Sequence, residues 1–191
     1  MNVNSTRRPV VAALSGFEHI ARVWDSQHNV WLAKIHPGEA CVTAATDGVT
    51  TVLGSCIAAC LRDTRTGVGG MNHFMLPNED ERHGVDAMEH LVNAVLAHGC
   101  GERSRLELKL VGGSRLKAGT QDAAPRAVAF AHRFAATLRL AIAAEDVGGM
   151  QGREVVYWPG TGQLRIRKLR GIEKLVAERE REYALATSRA E

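Results

Sequence analysis

Thr50-Thr51-Val52-Leu53-Gly54-Ser55-Cys56, an apolar run from Ile57 to Leu61, a polar break over Asp63-Thr64-Arg65-Thr66-Gly67, and Gly69-Gly70-Met71-Asn72-His73-Phe74-Met75-Leu76-Pro77 form the stretch around which the rest of the chain is organised. Cys56 to Arg62 and Val68 to Leu76 are short, apolar and bounded by turn-forming residues, so the polar residues between them read as a hairpin loop. In an antiparallel pair, residues equidistant from the turn centre oppose each other. With the centre between Thr64 and Arg65, Cys56 and His73 become cross-strand neighbours, their Cβ atoms roughly 4.5–5.5 Å apart. A bulge at Gly69-Gly70 would shift that register by one residue and turn one of the two side chains to the other face.

A thiol beside an imidazole is the core of a cysteine acyl-transfer site. Free cysteine has a pKa of about 8.5, so a neighbouring base is needed to generate thiolate at neutral pH. His73 supplies one. The thiolate would attack a carboxamide or ester carbonyl, the backbone amides around Gly54, Ser55 and Cys56 would hold the oxyanion, and protonated His73 would pass its proton to the leaving group. Water would then cleave the thioester. Thr50 and Thr51 are the nearest upstream hydroxyls able to orient the imidazole, and spacing does not choose between them.

Taken as a bare pair, a cysteine and a histidine in a hairpin read as core packing, since free cysteine is among the most buried residue types. The flanking residues change that reading. Leu53-Gly54-Ser55-Cys56 together with Gly69-Gly70-Met71-Asn72-His73-Phe74-Met75-Leu76-Pro77 closely resembles the chemoreceptor glutamine deamidase family, CheD. Pro37-Gly38-Glu39, Ala87-Met88-Glu89 with Leu91, Gly112-Gly113, Asp146 with Gly148-Gly149, Arg153 and Thr161-Gly162 follow in the family's order and spacing, over roughly residues 35 to 170. The resemblance implies a chemotaxis hydrolase that converts selected glutamine side chains on methyl-accepting receptor helices to glutamate, releasing ammonia, with methyl-ester hydrolysis as a secondary activity. It implies Cys56 as nucleophile, His73 as its base and Thr50, six residues before the cysteine, as the third member. Gly54, Ser55 and Asn72 make the substrate and oxyanion neighbourhood. The chain departs from the family pattern at Ala123-Ala124-Pro125-Arg126-Ala127, before the second long helix, and at His83, where a tyrosine is usual.

A competing reading of the same resemblance is a non-catalytic adaptor that occupies receptors or docks a CheC-type phosphatase. A third, of a different kind, is a zinc site using Cys56, Cys60 and His73. It lacks an evident fourth ligand, and its cysteines lie on a strand rather than in a knuckle, so neither metal nor cofactor is expected. The Gly112-Gly113-Ser114 step after a strand is short of a phosphate loop and reads as a close backbone approach near the site.

Composition agrees with one domain. There are 191 residues, 24 basic against 21 acidic, for a formal net charge of +3. That balance gives no ground for a nucleic-acid partner. Arg7-Arg8 precedes only the short apolar run Val10 to Leu14, and no segment approaches a membrane span, so a cytoplasmic protein without membrane insertion is expected. Cys41, Cys56, Cys60 and Cys100 do not make a dense framework and are expected as thiols.

Along the chain, residues 1 to 30 read as a flexible arm with a helical turn or two over Phe17 to Trp24. Residues 31 to 171 make the deamidase-like domain, and 172 to 191 a charged C-terminal helix. Val30-Trp31-Leu32 and Cys41 to Ala44 read as strands. Asn78 to His83 is a charged connection bordering the site. Val85, Met88, Leu91, Val92, Val95 and Leu96 follow helical spacing up to Gly99. Leu106, Leu108 and Leu110 alternate with Glu107 and Lys109 as a half-buried strand. A second helix runs from about Pro125 to Ala144, and a second hairpin joins Glu154 to Trp158 with Gln163 to Leu169. Its end is basic, through Arg165, Arg167, Lys168 and Arg170, which reads either as a solvated face or as a surface for acidic receptor helices. The fold class is α+β: a layered α/β sandwich with a mixed, largely antiparallel sheet built from hairpins and two long outer helices.

Overall fold

The Asp63 N–H donates to Val68 O at 2.8 Å, and Asp63 Oδ1 accepts from the N–H groups of Arg65 and Thr66, so the side chain of the last strand residue closes its own turn. Gly67, at φ +73°, completes the loop in a conformation that suits glycine. The computed structural model that shows this describes residues 12–44, 46–76, 80–116, 123–171 and 173–188. Among them the strands are β1 (Arg22–Asp25), β2 (Val30–Lys34), β3 (Ala40–Thr43), β4 (Gly48–Leu53), β5 (Ile57–Asp63), β6 (Gly69–Asn72), β7 (Leu106–Gly112), β8 (Ile142–Val147), β9 (Arg153–Trp158) and β10 (Gln163–Lys168). The helices are α1 (Arg82–His98), α2 (Ala123–Thr137) and α3 (Glu173–Ser188).

The strands form two mixed sheets of five, in the orders β1-β2-β4-β9-β10 and β3-β6-β5-β7-β8. The chain is thus an α+β sandwich, with the two hairpins divided between the sheets rather than sharing one. Helix α1 covers β3, β5 and β6, and α2 packs beside it, so the second sheet lies between helices and the first sheet. Period-2 alternation makes the interface. Val49, Thr51 and Leu53 of β4 and Arg153, Val155 and Tyr157 of β9 are buried, while the residues between them are half exposed. On β7 the alternation is the expected one, with Leu106, Leu108 and Leu110 buried.

The first hairpin forms two residues out of the register expected from its loop. Cys60 faces Met71 and Ile57 faces Phe74, because Asp63 belongs to the strand and the loop is only Thr64 to Gly67. His73 therefore lies across from Ala58, and Cys56, one residue before β5, is its diagonal neighbour. A shift of two keeps both on the same face. Gly69-Gly70 makes no bulge; the glycines admit neighbouring backbone, since a Cβ at Gly70 would fall 1.9 Å from Cys41 O.

Two segments depart from expectation. The second helix stops at Thr137 instead of Ala144. Arg139 takes φ +55°, and Ile142 to Val147 becomes β8, parallel to β7, because the edge of β7 offers a ladder that a longer helix would leave unpaired. At the N-terminus, Phe17 and Ile20 are buried and β1 pairs with β2 from Arg22 to Asp25, so the arm expected over 1–30 is a strand of the first sheet in its second half; its residues 1–11 lie outside those described. The connection expected over Asn78 to His83 ends in the first turn of α1, and its residues 78 and 79 also lie outside those described.

Candidate active site

Between β4 and β5 the chain crosses from one sheet to the other through Gly54-Ser55-Cys56, and this crossing carries the site. It is pinned from the β7 side: Gly113 N–H donates to Cys56 O at 2.7 Å and Ser114 N–H to Gly54 O at 2.8 Å. Gly112 makes the approach feasible, as a Cβ there would lie 2.4 Å from Cys56 O. The pin is held in turn by Arg153. Its buried guanidinium bonds Ser114 Oγ, Asp146 Oδ1 at 2.7 Å and Gly148 O at 2.8 Å, which gives the separated Gly113, Asp146, Gly148 and Arg153 one shared task.

His73 is fixed through its backbone and its ring. Its N–H donates to Glu39 O at 2.9 Å and its carbonyl accepts from Gly38 N at 2.7 Å, so the Pro37-Gly38-Glu39 turn is its cradle. Ring Nδ1 lies 2.8 Å from Thr51 Oγ1, and that hydroxyl also bonds Ile35 O at 2.8 Å. A carbonyl only accepts, so the single hydroxyl proton goes to Ile35 and Thr51 must accept from His73 Nδ1–H. The neutral ring then carries its lone pair on Nε2, a buried nitrogen without a hydrogen-bond partner among the described residues.

Facing the crossing stands a group that the sequence reading did not single out. Glu180 of α3, 2% exposed, accepts through Oε1 from Gly54 N–H at 2.8 Å and Cys56 N–H at 3.2 Å. Through Oε2 it accepts from Ser55 N–H at 2.8 Å and Ser55 Oγ at 2.6 Å. Three consecutive peptide N–H groups thus converge on one anion, as in a backbone nest. The Cys56 thiol, a His73 ring nitrogen and a Glu180 oxygen all lie within 4.8 Å of one another.

Electrostatics leave the pair neutral in this state. Burial, and after it the Glu180 charge, push the Cys56 thiol well above its usual range, while burial and then His36 hold the His73 imidazole down at about 3. A thiol, an imidazole whose lone pair is directed by a hydroxyl, and a nest of three N–H groups are what cysteine acyl-transfer chemistry calls for. As a metal centre the cluster fits less well: both Glu180 oxygens are spent on N–H and O–H donors, which suit an anion. Cys60, considered with Cys56 and His73 as a zinc ligand, is not in this cluster; it lies buried within β5.

Of the residues singled out from sequence, the structure brings Cys56, His73, Gly54 and Ser55 together and places two elsewhere. Thr50 is on the other face of β4, donating to Val155 O at 2.9 Å; it is Thr51 that meets the imidazole. Asn72 faces α1, accepting from Ala59 N–H at 2.8 Å and donating to Ala87 O at 3.0 Å, and has no part in the nest. Strand alternation was the signal for Thr51, which shares a face with Val49 and Leu53. Nothing local marks Glu180, which lies 124 positions from Cys56.

The chain is an α+β sandwich whose two sheets are joined by a cysteine-bearing crossing set against a histidine. Known proteins make it particular. The family model for CheD chemotactic sensory transduction matches residues 73–168, about half of the chain. A protein of Halorhodospira halophila named "Probable chemoreceptor glutamine deamidase CheD" is 45% identical over 185 residues, spanning 89% of this chain and 85% of its own. Proteins of the same name from Saccharophagus degradans and Hahella chejuensis are 41% and 37% identical, over 82% and 92% of this chain and 79% and 89% of theirs. The chain belongs to the CheD family.

Proposed function

We propose that this chain hydrolyses the side-chain amide of glutamines on chemoreceptors, with Cys56 as nucleophile, His73 as general base and acid, and Thr51 as the positioning hydroxyl. The observation that carries the reading is the line Ile35 O, Thr51 Oγ1, His73 Nδ1, which leaves the lone pair on Nε2 of a ring that has a nitrogen within 4.8 Å of the Cys56 thiol. In the first half-reaction the thiol proton passes to Nε2 as Sγ attacks the amide carbon, and the oxyanion enters the N–H groups of Gly54, Ser55 and Cys56. The C–N bond then breaks, and the imidazolium donates its proton to the departing nitrogen, which leaves as ammonia. Water, giving a proton to Nε2, attacks the thioester; the C–S bond breaks and the thiol is restored beside a glutamate product. A methyl ester would follow the same path with methanol leaving.

The partners follow from the same reading. Receptor cytoplasmic helices are the substrate, and the protein works in the cytoplasm beside them; a CheC-type phosphatase as second partner rests on the family resemblance alone. No helix among the described residues is long and apolar enough to cross a membrane, and the near balance of charge favours no nucleic acid. The test is ammonia release from a purified receptor cytoplasmic fragment, run beside Cys56→Ala. Release by the native chain and none by the variant is expected. If neither releases ammonia while both bind the fragment, the adaptor reading takes its place.

A further inference from the structure

The place where an oxyanion would form is filled by a side chain of the protein itself. Each Glu180 oxygen accepts two hydrogen bonds, so the nest of Gly54, Ser55 and Cys56 is saturated and the thiol beneath is 0% exposed. A carboxylate has two acceptor oxygens and a carboxamide has one. Four donors aimed at two oxygens therefore match what amide hydrolysis leaves behind better than what it starts from. The helix that delivers Glu180 docks through few other described side chains, Tyr183 against Gly38 among them. Of its side chains, Val176 and Ala177 are buried apolar ones, Leu175 and Leu185 are more than half exposed, and much of the remainder is charged. Val176 and Glu180 close over Gly54, where a Cβ would fall 2.8 and 2.9 Å from their side-chain atoms. A cavity bounded by His73, Thr51, His36 and Pro37 on one side and by Val176 and Arg179 on the other continues beneath the helix.

We propose that α3 is an internal product mimic: Glu180, carried on a helix, holds the place of a glutamate side chain carried on a receptor helix, and the site opens to substrate only when α3 leaves. The identification of Glu180 with product rests on the deamidase reading; the removable cover over Cys56 does not. Among the described side chains of α3, Glu180 is the one that bonds the crossing, through four hydrogen bonds, so loss of that one anion loosens the helix over Cys56 even though Tyr183 still rests on Gly38. A receptor helix and α3 then compete for one seat, and the resting protein guards its thiol until a partner displaces the cover.

The experiment is iodoacetamide labelling of the full chain, read cysteine by cysteine by peptide mapping, for native protein and Glu180→Ala. Cys41 and Cys60, buried in the second sheet, serve as internal standards for the fold. Removing the charge-assisted bonds is expected to speed alkylation of Cys56 by roughly tenfold or more while both standards stay protected, and a peptide of residues 172–191 added in trans to slow it again. An unchanged Cys56 rate overturns the proposal, as does a rise that the peptide leaves unaltered. If Glu180→Ala exposes the standards too, Glu180→Gln, which keeps the side chain's shape and removes one acceptor, is read in the same way with the same two outcomes. Ammonia release from the receptor fragment separates the two readings. Faster labelling without release from either form sinks the deamidase and leaves the cover, whereas release by native protein together with a Cys56 labelling rate unchanged by Glu180→Ala sinks the cover and leaves the deamidase.

Discussion

Thr51 and His73 are joined across the two sheets by a 2.8 Å hydrogen bond, and the direction of that bond is set by a third group, the Ile35 carbonyl that takes the threonine's proton. Thr50, its neighbour in sequence, points to the opposite side of the same strand and is tied to Val155. The two threonines are chemically alike, and their separation is wholly a matter of facing.

Substitution therefore tells them apart. Thr51→Val is expected to lower kcat of glutamine hydrolysis by roughly ten- to a hundredfold, through loss of the tautomer and ring orientation. Thr50→Val removes one half-buried bond, costing about 1 kcal/mol of stability with little change in kcat. Ammonia release kinetics on both variants check this; the reverse pattern would return the positioning role to Thr50.

Asn72 gives a second contrast. Were it an oxyanion donor, its loss would cost about 10²–10³ in kcat. Since it instead ties Ala59 to Ala87, Asn72→Ala is expected to reduce stability by about 1–3 kcal/mol and to leave kcat within a few-fold. Urea midpoints measured beside kcat decide between the two.

Acid sensitivity follows from the buried imidazole. Unfolded, His73 takes up a proton near its ordinary 6.5; folded, it does so only at about 3. Above pH 6.5 neither state holds that proton and the group makes no pH-dependent contribution. As pH falls from 6.5 towards 3, the unfolded state binds a proton that the folded state refuses, so stability declines by about 1.4 kcal/mol per pH unit. Denaturant midpoints between pH 7 and 4 should show a steeper decline for native protein than for His73→Gln; parallel curves would mean that the ring protonates without unfolding.

Glycines should divide by what surrounds them. At Gly70 a Cβ would meet Cys41 O at 1.9 Å, backbone that cannot yield, and Gly70→Ala is expected to lose about 3 kcal/mol or more. Gly148, at φ +77° with open space around it, should lose only about 1 kcal/mol as alanine. Thermal midpoints of the two variants test the order; similar losses would show that β6 can move away from β3.

Periodicity and turn chemistry are enough for the local part of this protein. Helix α1 is set by Met88, Leu91, Val92 and Val95 at helical spacing and stops at Gly99, and β7 is set by three alternating leucines. The nearness of Cys56 and His73 is local as well. One tight turn joins their segments, and a two-residue slip in register moves them from opposite to diagonal while keeping them on one face. Contacts of this kind lie within the reach of periodicity and turn chemistry. Tertiary structure decided what depends on partners far along the chain. Thr51 rather than Thr50 meets the imidazole because the second sheet covers that face of β4. Asn72 turns to α1 because β6 shows it the helix side, and Ile142 to Val147 leaves a helical pattern for a strand because β7 has an edge to fill. Glu180 reaches the nest from 124 positions away, on a helix whose charged sequence gives no sign of where it docks. A buried carboxylate is legible only once its donors are in place, and those donors are backbone groups, which every residue but proline possesses.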